Sequence, residues 1–171
     1  MSERFLRPPQ PLPSDETAPI VFLTGPIQGA PDWQTPLANE ILARRDDLTV
    51  LSPRRETVGE TSFDYNEQVG WERAGLRRAM SNGAIAFWLA AQDTLLSYPQ
   101  GRAYAQTTKI EFGTVTGWRE FRDFPIFLGI DPQYRGGSEK YFRYVCQEQN
   151  IPILNSLDGL LRTVAQQTPH S

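Results

Sequence analysis

Pro19-Ile20-Val21-Phe22-Leu23-Thr24-Gly25-Pro26-Ile27-Gln28-Gly29-Ala30-Pro31-Asp32-Trp33 is the stretch on which the fold turns. Its opening run, Pro19 to Thr24, is short, apolar and β-branched, which predicts a strand buried on both faces. The glycines and prolines that follow end the strand and open a connection. From Asp32 to Arg45 the apolar positions Leu37, Ile41 and Leu42 recur at helical spacing, with Asp32 a candidate N-cap. A doubly buried strand feeding a helix is the opening unit of a parallel sheet covered by helices.

The alternation continues. Leu48 to Ser52 reads as a second strand stopped by Pro53, and a loop to about Tyr65 leads into a helix over Asn66 to Met80. Ala84 to Leu89 is a third apolar strand, followed by a loop from Ala90 to Gln106 and a helix over Thr107 to Trp118. Pro125 to Ile130, Ser138 to Glu148, Ile151 to Leu154 and Leu157 to Ala165 then read as strand, helix, strand and helix. The expectation is one α/β domain over 18–168, built on a five-stranded parallel sheet with helices on both faces. Residues 1–17, with Pro8, Pro9, Pro11 and Pro13, read as an extended arm whose PxxP spacing permits partner binding. Ligands of such sheets sit beyond the C-terminal strand ends, which selects the loops after strands one, three and four.

Composition narrows the chemistry. The chain of 171 residues has one cysteine, Cys146, and one histidine, His170, near an end where chains commonly fray. A Cys/His zinc site lacks its ligands, and a Ser-His-Asp or Cys-His arrangement lacks its base, so no metal or cofactor is expected. Asp and Glu are left for acid, base or nucleophilic work. A net charge of −3 from 17 basic and 20 acidic side chains argues against a polynucleotide partner. The arginines at 44–45, 54–55, 73, 77 and 78 are expected on solvated helix faces. No stretch approaches the roughly 20 apolar residues that span a bilayer, so the cytoplasm is the expected location.

Two carboxylates stand out. Val69, Leu76 and Met80 mark an apolar helix stripe, and Glu72 falls on it, where a carboxylate costs free energy unless paired or used. A helix-edge Glu paired with a nearby Arg explains it as well as a functional role does. Glu111 falls in the first turns of the helix after strand three, where the positive helix end favours its ionised form as a nucleophile. On pattern alone the plainer role fits it better, with Thr107 or Thr108 capping the helix and Glu111 completing a capping box. The loop from Gly25 to Gly29 matches neither a P-loop nor a dinucleotide fingerprint, though it lets a ligand approach the backbone. Trp33, Trp71, Phe22 and Tyr65 offer rings on which a base could stack, whereas Trp88 reads as core. The loop Asp131 to Gly137 follows strand four and is a further candidate to reach the site.

Taken in order, Val21-Phe22-Leu23-Thr24-Gly25-Pro26-Ile27, Gln68-Val69-Gly70-Trp71-Glu72 with Gly75-Leu76, and Thr108-Lys109-Ile110-Glu111-Phe112-Gly113 resemble the nucleoside 2-deoxyribosyltransferase-like family over residues 19–145. The resemblance implies a flavodoxin-like (Rossmann-like) sheet. It implies Glu111 as the nucleophile at the anomeric carbon of a nucleoside and Glu72 as the acid that protonates the departing base, a two-step logic shared with retaining glycosidases. Phe22, Gly25, Pro26, Gln28, Trp33, Tyr65, Gln68, Trp71, Thr107 and Thr108 are the expected substrate contacts. The chain departs from the family at two positions. Phe22 replaces a Tyr that orients the nucleophile, and Ala105 replaces a sugar-binding Asp, with Asp93, Tyr104 and Asp64 the candidates to substitute.

The implied partner is a small nucleoside or nucleotide, in a homo-oligomer by analogy. Two readings stand beside exchange or cleavage of a (deoxy)nucleoside. One is hydrolysis of a nucleoside 5′-monophosphate, its phosphate met by the Gly25 to Gly29 loop or Arg135; the other is a non-catalytic nucleotide-binding module of the same fold.

Overall fold

The computed structural model describes residues 4–14, 17–56 and 64–170. In chain order its elements are β1 (Phe5–Leu6), β2 (Ile20–Thr24), α1 (Gln34–Arg44), β3 (Thr49–Leu51), α2 (Tyr65–Ser81), β4 (Gly83–Leu89), α3 (Gln106–Arg119), β5 (Ile126–Ile130), α4 (Glu139–Glu148), β6 (Ile153–Leu154) and α5 (Leu157–Gln167). The strands form a six-stranded, wholly parallel sheet in the order β1-β3-β2-β4-β5-β6. The α/β reading therefore holds, with element ends within about two residues of expectation, but the sheet has six strands rather than five.

The extra strand corrects the reading of residues 1–17 as an arm. Phe5 and Leu6 pair with Val50 and Leu51, and the backbone N–H groups of Val50 and Ser52 donate to the carbonyls of Arg4 and Leu6. The strand is two residues long, Pro8 with no backbone donor follows one residue after it, and Phe5 is buried beneath the Arg7 guanidinium. Parts of the arm (1–3, 15 and 16) and of the loop after Pro53 (57–63) lie outside the described residues.

Central strands β2, β4 and β5 are buried along their whole length, as their apolar runs require. Phe22 on β2 lies under Gly75 of α2, where a Cβ would meet the Phe ring at 2.7 Å, so the glycine lets the helix settle onto the strand. Phe87 on β4 meets Phe112 of α3, which meets Phe142 of α4. On the opposite face Trp88 and Gly129 pack beneath Leu160 of α5, which also contacts α1. Helices thus cover both faces. Among the described residues no helix is long and apolar enough to cross a membrane.

The arginines are not uniformly solvated. Arg45 and Arg54 are buried, because each sits near the end of an element where carbonyls lack helix or sheet partners, while half-buried Arg55 is held by Gln68 and Glu67. Arg45 donates to the carbonyls of Ala165, Thr168 and Pro169 and forks onto Asp47 at 2.6 Å, so the tail bearing His170 is pinned rather than frayed. Arg54 donates to the carbonyls of Ile27, Ala30 and Pro31 and to Gln34, shaping the connection after β2.

Candidate active site

Strand β2 lies between β3 and β4, so the connections leaving these strands diverge at its C-terminal end. A cavity of about 600 Å³ opens there. Its floor is the turn after β2, Gly25 to Gln28. Gly25 is required by close approach, since a Cβ would sit 2.2 Å from the Trp88 carbonyl oxygen. One wall is the first two turns of α2, where Tyr65, Gln68, Val69 and Glu72 share a face at helical spacing; Asp64 caps that helix by accepting from the N–H groups of Asn66 and Glu67. The other wall is the start of α3, with Ala105, Thr108 and Glu111.

Glu111 is where its helix position places it, but its role is not the capping box. The N-cap of α3 is Ala105, in the left-handed region at φ 57° with no side-chain cap, and Thr107 and Thr108 lie inside the helix. Glu111 Oε2 instead accepts from the Thr24 hydroxyl at 2.5 Å, across the sheet edge from β2. Burial, opposed by the Thr24 hydrogen bond and aided by the neighbouring Glu72, raises the carboxyl to about 7. Burial therefore outweighs the helix end that favoured full ionisation. Near neutral pH the group is therefore present in both charged and neutral forms, and only the charged form could act as a nucleophile.

Glu72 faces Glu111 from α2. Burial raises its pKa as well, opposed by the Gln68 amide, which donates to Oε1 at 2.7 Å. The apolar stripe thus carries an acid that is held by an amide rather than an ion pair. Two carboxyls in one partly dry cavity resist ionising together, which divides acid and base character between them.

Of the expected contacts, Gly25, Pro26, Gln28, Tyr65, Gln68, Thr107 and Thr108 line the cavity. Phe22, Trp33 and Trp71 do not. Phe22 is 1% exposed and belongs to the core. Trp33 is buried and donates through Nε1 to the Pro26 carbonyl at 3.0 Å, bracing the floor from behind. Trp71 is half-buried against the Phe22 ring and donates to the Gln10 carbonyl at 2.7 Å, fastening the N-terminal segment to α2. Their rings are scaffold, not stacking platforms.

None of the proposed substitutes reaches the cavity. Asp64 is spent on its cap, Asp93 accepts from the Leu95 N–H, and Tyr104 donates to the carbonyls of Ala90 and Ala91. The loop Asp131 to Gly137 also stays outside, because β5 is one strand removed from the divergence; Arg135 donates back to the carbonyls of Pro132 and Tyr134. Its place is taken by residues that periodicity does not mark, Pro53 and Arg55 after β3 and Tyr98 and Arg102 before α3. Arg102 bridges the mouth, donating to Gln28 Oε1 and Thr107 Oγ1 at 3.0 Å each. Among the described residues no group of three or more His, Cys, Asp or Glu side chains gathers as metal ligands would.

Comparison with known proteins places the chain by shape alone. No protein-family model and no curated protein matches the sequence. A crystal structure described as a conserved protein from Enterococcus faecalis V583 superposes with a TM-score of 0.51, covering 88% of this chain and 99% of that chain at 10% identity. What the two share is the α/β fold.

Proposed function

We propose that the chain is a nucleoside 2-deoxyribosyltransferase-like enzyme that cleaves or exchanges the N-glycosidic bond of a (deoxy)nucleoside. The observation that carries the reading is the pair of carboxyls facing one cavity, with Glu111 held by Thr24 and Glu72 by Gln68. The fold is consistent with it. With edge strand β1 set aside, the remaining order is the 2-1-3-4-5 of flavodoxin-like sheets.

In this mechanism Thr24 occupies Oε2 of Glu111 and leaves Oε1 for the anomeric carbon. The bond from Oε1 to that carbon forms as the bond to the base nitrogen breaks, and Glu72 gives its proton to the departing base. A second base or a water then attacks the glycosyl-enzyme, passing a proton to Glu72 and releasing Glu111. Thr24 takes the orienting role that the resemblance assigned to the position of Phe22.

Arg55 and Arg102 on the cavity wall favour a second reading, hydrolysis of a nucleoside 5′-monophosphate. The partners of Arg102 are both neutral, so its charge remains available to an anionic substituent. Arg102→Gln should then raise KM for a monophosphate roughly tenfold or more and leave the parent nucleoside unaffected.

The test is a panel of deoxynucleosides and their 5′-monophosphates, with and without an acceptor base, with products resolved by chromatography. Base exchange supports transfer, and free base alone supports hydrolysis. Binding without turnover supports a non-catalytic module and overturns the proposal. Glu111→Ala is expected to abolish turnover while thermal unfolding shows an intact fold; an unchanged rate defeats the nucleophile assignment.

A further inference from the structure

Gln68 is 8% exposed and every polar atom of its amide is committed. Its Oε1 accepts from Arg55 Nε at 2.9 Å, and a guanidinium can only donate. Its Nε2 donates to the Pro53 carbonyl at 2.9 Å, and a carbonyl can only accept. These two partners fix which end of the amide is nitrogen: rotation by half a turn would set N–H against guanidinium and oxygen against oxygen. The remaining N–H reaches Glu72 Oε1 at 2.7 Å. Glu72 Oε2 has no hydrogen bond among the described residues, and the side chain lines the cavity.

We infer that Gln68 is a positioning residue: locked by Arg55 and the Pro53 carbonyl, it holds Oε1 of Glu72 as an acceptor and so assigns the transferable proton to Oε2. The inference rests on the acid role proposed for Glu72 and specifies the atom that performs it. When Oε2–H breaks and the proton passes to the departing base nitrogen, the electron pair stays on the carboxylate. The Gln68 N–H then becomes a donor to an anion, and the contact strengthens as the reaction proceeds. The proton returns from the attacking water or acceptor base, which closes the cycle.

Other charges also act on Glu72. Arg55 and its partner Glu67 stand behind Gln68, Glu111 faces Glu72 from α3, and Arg102 lies at the cavity mouth. The test therefore removes the strongest coupling first. In the full-length Glu111→Gln protein with ¹³C-labelled glutamate, the Glu72 carboxyl is titrated by NMR with Gln68 intact, as Gln68→Met and, separately, with Arg55→Lys. Gln68→Met keeps the volume but removes the donor to the ionised form. The Glu72 midpoint is expected to rise by about one pH unit, a tenfold change in proton affinity. Arg55→Lys keeps the charge but loses the directed Nε contact, and a smaller rise is expected. An unmoved or lowered midpoint in Gln68→Met overturns the inference. Should that variant fail to fold, no rise in Arg55→Lys overturns it instead. The titration needs no substrate, so an inactive nucleoside panel with a raised Glu72 midpoint would remove the proposed reaction and leave the Gln68 assignment standing.

Discussion

Thr24→Val isolates the one side-chain hydrogen bond that holds the proposed nucleophile among the described residues. Thr24 is fully buried at the end of β2, and Val keeps its β-branched shape while deleting the hydroxyl that donates to Glu111 Oε2. A hydrogen bond to a charged group contributes about 1.5–3 kcal/mol. At 1.36 kcal/mol per pH unit, its loss raises the carboxyl by roughly one to two pH units. The direction follows because the donor stabilises the ionised form while burial opposes it. Glu111, at about 7 in the parent, moves to roughly 8–9. At pH 7 its ionised fraction falls from about half to roughly 1–10%. Turnover at pH 7 should then fall roughly 5- to 50-fold relative to the parent at the same pH, and that ratio should close by about pH 9.5. Carboxyl ¹³C NMR titration of the variant reads the midpoint, and a pH–rate profile reads the recovery. A midpoint at or below the parent's would refute the argument, as would a rate loss equal at pH 7 and pH 9.5.

Stability offers two further checks with opposite signs. Glu111 has its folded pKa raised from 4.5 to about 7, so its contribution is fully present below 4.5 and is lost as pH rises through 7. Glu111→Gln should accordingly stabilise the chain by up to about 3 kcal/mol at pH 8.5, raising Tm by several degrees, with the difference closing by about pH 4.5. Thermal melts across that range measure it, and a gap independent of pH counts against it. Asp47 is lowered to about 2, chiefly by hydrogen bonds from Arg45, so its contribution is present above 3.8 and lost as pH falls through 2. After allowance for solvent screening it amounts to about 1 kcal/mol or less. Asp47→Asn should lower Tm by a few degrees at pH 6 and by much less at pH 2; equal loss at both values would assign the effect to packing.

The parallel sheet was legible because its central strands are apolar on both faces, a pattern that survives without any knowledge of tertiary contacts. Strand β1 was not, because a two-residue strand has no period and its prolines speak for an arm. Glu72 and Glu111 could be found for complementary reasons. One breaks an apolar stripe, and the other begins a helix at the edge where ligands gather. Thr24 carried a weaker signal: it is the last residue of its strand, the one polar side chain at the end of an apolar run. The aromatic residues misled because chain position puts Trp33 and Trp71 near the site, while ring direction depends on packing that sequence does not display. Arg55, Tyr98 and Arg102 arrive from loops, whose paths follow no repeat. The capping box failed for a backbone reason, since left-handed Ala105 begins α3 one turn ahead of where Thr108 would have capped it.

Strand β1 also bears on how the protein can be handled. It covers the outer rim of β3, whose open backbone groups would otherwise be free to recruit a strand from another molecule. A few residues later, Gln10 accepts the Trp71 N–H from the residue beside Glu72. Trimming the proline-rich segment as a dispensable tail would uncover a self-associating edge and release the anchor of the helix that carries Glu72. A chain shortened to begin near Ile20 would thus combine aggregation with a misaligned wall of the candidate site.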